Sequence, residues 1–192
     1  GDPINIGWHI SDRICQLGKA DKPALIWENH AGDTETFTYD DVRVLTNGIA
    51  SYMESLGIEA GERVCLFMDR VPELYLNFAA ILKRGAIAQP LFSAFGNESL
   101  HTRLANAGTA AIFTQKKHVA KVRKIRDQLP ELRHIIIVDG DPEKLREKET
   151  IFGLAQTERL EEYDGPKTTA ETPSVLHYTS GTTGQPKGAQ HV

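Results

Sequence analysis

Cysteine is scarce in this 192-residue chain: Cys15 and Cys65 stand far apart, with no second Cys or His at metal-ligand spacing. That excludes a disulfide framework and a zinc-finger pattern, and two free thiols in a reducing compartment are expected. Long apolar runs are absent too. The most apolar stretch, residues 74–82, contains Asn77 and ends in Lys83-Arg84, well short of the ~20 residues that cross a bilayer. Asp2, Asp12 and Arg13 interrupt the start and no apolar core of a signal peptide follows, so a cytoplasmic protein is expected. An excess of positive charge is also missing. Twenty-two Lys and Arg face 26 Asp and Glu, a net charge of -4 that offers no basic face for nucleic acid. No internal repeat or low-complexity tract occurs, and the chain opens on Gly1 rather than Met, as an excised segment would.

With 40% hydrophobic and 25% charged residues, the composition is that of an ordinary globular protein. A chain of this size can bury a proper core. Short β-rich runs alternate with helical patterns. Strands are predicted at 24–28, 35–38, 63–68, 87–92, 110–114, 134–138 and 175–179. Thr38 and Asp41 have the spacing of a capping box, and Val42, Leu45, Ile49 and Met53 form the stripe of a helix that stops at Gly57. Further helices are predicted at 72–84, opened by Pro72 and closed by Gly85, and at 98–107 and 118–129. Residues 139–173 carry no long apolar stripe and read as a connector with short helical pieces at 142–147 and 151–157. Strands separated by helices imply an α/β fold with a mostly parallel, doubly wound sheet.

The densest chemical signal is Tyr178-Thr179-Ser180-Gly181-Thr182-Thr183-Gly184-Gln185-Pro186-Lys187-Gly188. Glycines let backbone N–H groups approach a ligand, successive N–H groups form anion-binding nests, and hydroxyls and a lysine add donors and charge. The string reads as a polyphosphate cradle. It is not a Walker A loop, because Lys187 follows Pro186 and precedes Gly188. A Rossmann fingerprint would open a helix after the first strand, whereas Pro186 and the following residues suggest return into another strand. Ser180 is no nucleophile elbow, which would need glycines at 178 and 182.

This string resembles the signature of the adenylate-forming superfamily, which includes acyl-CoA synthetases, peptide-synthetase adenylation domains and luciferases. Arg63-Val64, Phe67-Met68, Arg70 and Pro72-Glu73-Leu74-Tyr75 are similar to the early region of acetyl-CoA synthetases. So are Gly85-Ala86-Ile87-Ala88, the segment from Pro90 to Phe95, and Leu176-His177-Tyr178. The resemblance runs over residues 22–192, most weakly between 139 and 172. It implies the N-terminal portion of the synthetase large domain, a mostly parallel sheet with flanking helices that stops at the phosphate-binding loop, with residues 1–192 as one such piece. It also implies ATP, Mg²⁺ and coenzyme A. An acid, acetate or another short one, would become an acyl-adenylate and then a thioester. Thr179, Ser180, Thr182 and Thr183 would supply hydroxyls, Gly181 and Gly184 the close backbone approach, and Lys187 the catalytic charge. No residue cluster reads as a dedicated metal site. Later family segments are not found, so the piece alone is expected to be inactive. An aromatic or medium-chain acid, or a non-catalytic nucleotide-binding module, are the alternatives.

Other candidates have plainer readings. Ser93-Ala94-Phe95-Gly96 is either a strand-to-helix turn or, by the resemblance, a neighbour of the coenzyme A path. The basic run Lys116, Lys117, His118, Lys121, Arg123, Lys124 and Arg126 reads as the solvated side of a helix with an apolar stripe. His177 reads as a strand histidine held by hydrogen bonds, and Asp69-Arg70 as a cap for the helix after Pro72.

Overall fold

The structure is a computed structural model and describes residues 4–179 and 186–192. Two short helices, α1 (Ile6–His9) and α2 (Asp12–Ile14), precede a hairpin of β1 (Pro23–Glu28) and β2 (Thr34–Thr38). The elements α3 (Tyr39–Ser55), β3 (Arg63–Phe67), α4 (Pro72–Lys83), β4 (Ile87–Pro90), α5 (Asn97–Ala107), β5 (Ala111–Thr114), α6 (Val119–Arg123) and β6 (His134–Ile137) follow. Three strands complete the sheet: β7 (Glu149–Ile151), β8 (Val175–Thr179) and β9 (Lys187–His191). Its order is β7-β6-β5-β3-β4-β8-β9, with every pair parallel except β8 and β9.

The central strands β3, β4 and β5 are buried on both faces, as helical crossovers require, whereas β9 is exposed along its length. Alternate residues of β3 divide between two cores. Val64 and Leu66 pack with Leu45, Ile49, Leu76, Ile81 and Phe113 under α3 and α4. Cys65 and Phe67 pack with Leu100, Leu104, Ile112, Val119 and Val122 under α5 and α6. Each large apolar side chain so buried contributes about 1.5–3 kcal/mol relative to exposure.

Local signals place the helices. Thr38 Oγ1 accepts from Asp41 N (3.1 Å), and Asp41 Oδ2 accepts from Thr38 N (2.9 Å), the capping box expected for α3. Gly57 (φ 70°) and Gly85 (φ 69°) take the left-handed conformation after α3 and α4. At the N-terminus, Asn5 caps α1 and donates to Lys83 O (2.9 Å). The Lys83 ammonium is buried and donates to Asp12 Oδ2 (2.6 Å) and Asn47 Oδ1 (2.7 Å). Burial pushes the Lys83 pKa down, while the Asp12 carboxylate opposes that.

Three expectations are corrected. The helix expected at 118–129 breaks into α6 and a 3₁₀ turn, Arg126–Gln128. From Val122 the bonds run i to i+3, which turns Ile125 and Leu129 into the core before Pro130. The connector hides a strand: β7 pairs with β6 at the sheet edge, and only 3₁₀ turns form at Pro142–Lys144 and Leu154–Gln156. β7 escaped detection because it is three residues long and begins with a buried Glu149. That carboxylate takes two bonds of 2.7 Å from Arg123. The strand predicted at 87–92 ends at Pro90. The helices of the first fourteen residues carried no apolar period long enough to read.

The connector also packs on α3. Leu160 N donates to Val44 O (3.1 Å) and Asn47 Nδ2 donates to Leu160 O (2.9 Å). A Cβ on Gly48 would lie 1.8 Å from Glu158 O. Helix propensity alone favours Gly48→Ala by about 1 kcal/mol. The backbone contact outweighs it, so Gly48→Ala should destabilise by about 1–3 kcal/mol in denaturant unfolding. An increase in stability would show that the connector does not pack there.

Candidate functional site

Strands β3, β4, β5 and β8 run in one direction, so their carboxyl ends share one edge of the sheet. In open α/β sheets that edge is where ligands bind. β8 and β9 form an antiparallel hairpin there, with Tyr178 opposite Gly188 and Thr179 opposite Lys187. The return into a strand after Pro186 is therefore observed. Thr179 and Lys187 are both exposed and face each other across the neck of the hairpin. Ser180, Gly181, Thr182, Thr183 and Gly184 lie outside the described residues.

Beside this neck, the ends of three strands meet at Asp69. Ser93 Oγ donates to Asp69 Oδ1 (2.7 Å), His118 Nε2 lies 2.8 Å from the same oxygen, and the Lys117 ammonium contacts Oδ2. Asp69 N donates to Gln115 Oε1 (2.8 Å), and Lys121 Nζ donates to Ser93 O (2.9 Å). The Lys117 contact foremost, then the Ser93 and His118 bonds, hold the Asp69 carboxyl well below the usual carboxylate range despite some burial.

These contacts correct three readings. Asp69 does not cap α4; Val71 stands at the N-cap, and the carboxylate joins the ends of β4 and β5. Much of the basic run is not a solvated face. Besides Lys117, His118 and Lys121, Arg123 pairs with Glu149, and Arg126 donates to Glu147 O (2.6 Å). The apolar stripe of Val119, Val122, Ile125 and Leu129 is buried as expected. His177 is exposed and has no ring hydrogen bond among the described residues; it meets His191 edge-on at 5.6 Å. It lines a cleft of about 370 Å³ with Met68, Arg70, Leu74, Phe92 and Ser93. Ser93 is thus both a turn residue and part of this edge. The signal missed for Asp69 and His118 is position: like Ser93, each follows the carboxyl end of a strand.

Among the described residues, no group of three or more His, Cys, Asp or Glu is placed to hold a metal ion. No described helix is long and apolar enough to cross a membrane. Because the folded Asp69 carboxyl titrates below its ordinary 3.8, its stabilisation is complete above that value and is lost as pH falls through the folded pKa. Asp69→Asn should therefore lower the melting temperature at pH 7, and the difference from the parent should start to shrink only below about pH 4 and vanish only below the depressed folded pKa. A difference independent of pH would show that the carboxylate charge is not what joins the strands.

The family described as AMP-binding enzyme matches residues 14–192. The acetyl-coenzyme A synthetase of Bacillus subtilis (strain 168) is 30% identical over 200 residues, 98% of this chain and 32% of that protein. The 3-hydroxypropionyl-coenzyme A synthetase of Sulfurisphaera tokodaii is 27% identical over 208 residues, 100% of this chain and 31% of that protein. Among solved structures, a Brucella canis acyl-CoA synthetase superposes with a TM-score of 0.83 at 24% identity, over 98% of this chain and 33% of that one. An anthranilate CoA ligase in complex with anthranoyl-AMP gives 0.84 at 22% identity, over 100% and 35%. At those identities the two structures establish the fold. The chain spans about a third of the length of the curated relatives it matches. With the expected mostly parallel sheet in place and the match covering nearly all of the sequence, the chain belongs to the AMP-binding enzyme family.

Proposed function

We propose that residues 1–192 are the N-terminal part of an AMP-forming acid–thiol ligase acting on acetate or another short-chain acid, with ATP and coenzyme A as co-substrates. The observation that carries this reading is the exposed Thr179–Lys187 pair, which closes the hairpin at the carboxyl edge of the sheet in a member of this family. The acid's carboxylate oxygen attacks the α-phosphorus of ATP, and the bond to pyrophosphate breaks. The coenzyme A thiol then attacks the acyl carbon, and AMP leaves.

Charge accumulates on pyrophosphate in the first step, so fixed donors aimed there lower the barrier. Lys187 supplies the cation. Thr179, Ser180, Thr182 and Thr183 supply hydroxyls, and Gly181 and Gly184 allow the backbone to approach. Mg²⁺, when bound with ATP, neutralises phosphate charge; hydroxyls and a lysine suit the phosphates, and the described residues build no carboxylate cage for the ion. The relatives' names support a coenzyme A ligase acting on a small acid. A cytoplasmic location accompanies the proposal.

Pyrophosphate release by the protein of the complete reading frame tests it, with acetate, propionate, butyrate and benzoate. Release is expected with a short acid from the long form and not from the 192-residue piece. Release with benzoate alone would favour an aromatic acid, and none from a folded long form would favour a binding module. In the active protein, Lys187→Ala should slow adenylation about 10²–10³-fold. Its melting temperature should move little, since this exposed side chain buries nothing. Parallel loss of rate and stability would make Lys187 structural.

A further inference from the structure

Arg103 is 9% exposed, yet among the described residues no carboxylate pairs with it. Buried guanidinium groups are ordinarily paired, because desolvating a charge is costly. One nitrogen donates to Ser99 O (2.8 Å), and Nε is buried with no hydrogen-bond partner among the described residues. The charge instead meets aromatic rings. Its guanidinium carbon lies 4.2 Å from the centroid of Phe95 and 6.0 Å from that of Tyr178, within reach of cation–π attraction.

Tyr178 is held from three sides. Its hydroxyl donates to Asn106 Oδ1 (2.7 Å), one turn along α5 from Arg103. Its ring lies 3.5 Å from where a Cβ on the facing Gly188 would stand. The guanidinium provides the third side. Phe95, Arg103, Tyr178 and Gly188 thus form a stack from the start of α5 to the neck of the hairpin. Tyr178 and Gly188 are each one residue from the facing pair Thr179 and Lys187. Burial raises the Tyr178 pKa against the pull of Arg103 and Arg63, so the phenol stays a donor at neutral pH.

We propose that Arg103, Asn106 and Tyr178 are positioning residues that fix the hairpin neck, and with it Thr179 and Lys187, for the terminal phosphates of ATP. This rests on the ATP-binding reading of the hairpin. The three residues do not touch substrate; they act through the strand register and through a cation kept free of carboxylates behind it. Gln89 Nε2, fully buried on β4, donates to Arg103 O (3.2 Å) and ties α5 to the sheet, so the brace has a rigid base.

Equilibrium binding of MgATP and of AMP to the full-length protein separates this role from plain packing, because AMP lacks the terminal phosphates. Tyr178→Phe removes one oxygen and should weaken MgATP binding about threefold to tenfold while AMP binding stays within about twofold. Arg103→Met should act in the same direction and more strongly, and Arg103→Lys should restore part of the loss. Should Arg103→Met fail to fold, Tyr178→Phe and Asn106→Ala still give the ATP-to-AMP ratio. Equal losses for both nucleotides, or unchanged MgATP binding in folded variants, would overturn the proposal. A parent protein that binds MgATP but activates none of the acids would refute the ligase reading, while the ratio still decides the brace. A parent that does not bind MgATP would overturn both.

Discussion

Burial of β3 on both faces is the constraint from which the architecture follows. Its four residues Val64 to Phe67 are each at most 1% exposed, so helices must cover the sheet above and below. Only crossover connections put helices on both faces, and crossovers make neighbouring strands parallel. Parallel strands bring their carboxyl ends to one edge. The meeting of Asp69, Ser93, His118 and Thr179 in one region is thus a consequence of how Val64, Cys65, Leu66 and Phe67 are buried.

At that edge the molecule mixes satisfied and unsatisfied charge. Asp69 is surrounded by Lys117, His118 and the Ser93 hydroxyl, and its low pKa reflects a carboxylate with its donors already in place. Such a group organises the loops around it and offers no free base. Lys187 and Arg103 are different. One is exposed at the hairpin neck, and the other is buried with aromatic rings and no described carboxylate. Among the described residues no carboxylate pairs with either, and the exposed Lys187 is the one placed to meet an anion from solvent.

Buried polar contacts hold the remaining pieces to the core. Lys83 joins α2 and α3 to α4 through Asp12 and Asn47. Arg123 and Glu149 fasten β7, and Thr109 Oγ1, in the turn after α5, donates to Gln89 Oε1 of β4 at 2.6 Å. Losing one partner would strand the other in low dielectric, so these contacts tie the chain to one arrangement more strongly than they add net stability.

Local rules were legible in the chain wherever near neighbours decided the outcome. The Thr38–Asp41 capping box, the left-handed glycines at 57 and 85, and the stripe from Val42 to Met53 depend on residues within a turn of one another. The resemblance carried by the glycine-rich string before Lys187 is likewise a matter of contiguous residues, and the family match extends over it. Only the tertiary structure decided the single strand of the connector, the partners of Asp69 and the placement of Arg103 behind Tyr178. Each of these pairs residues from 14 to 75 positions apart, and a contact at that separation depends on strand order and crossover, which leave no local period to read.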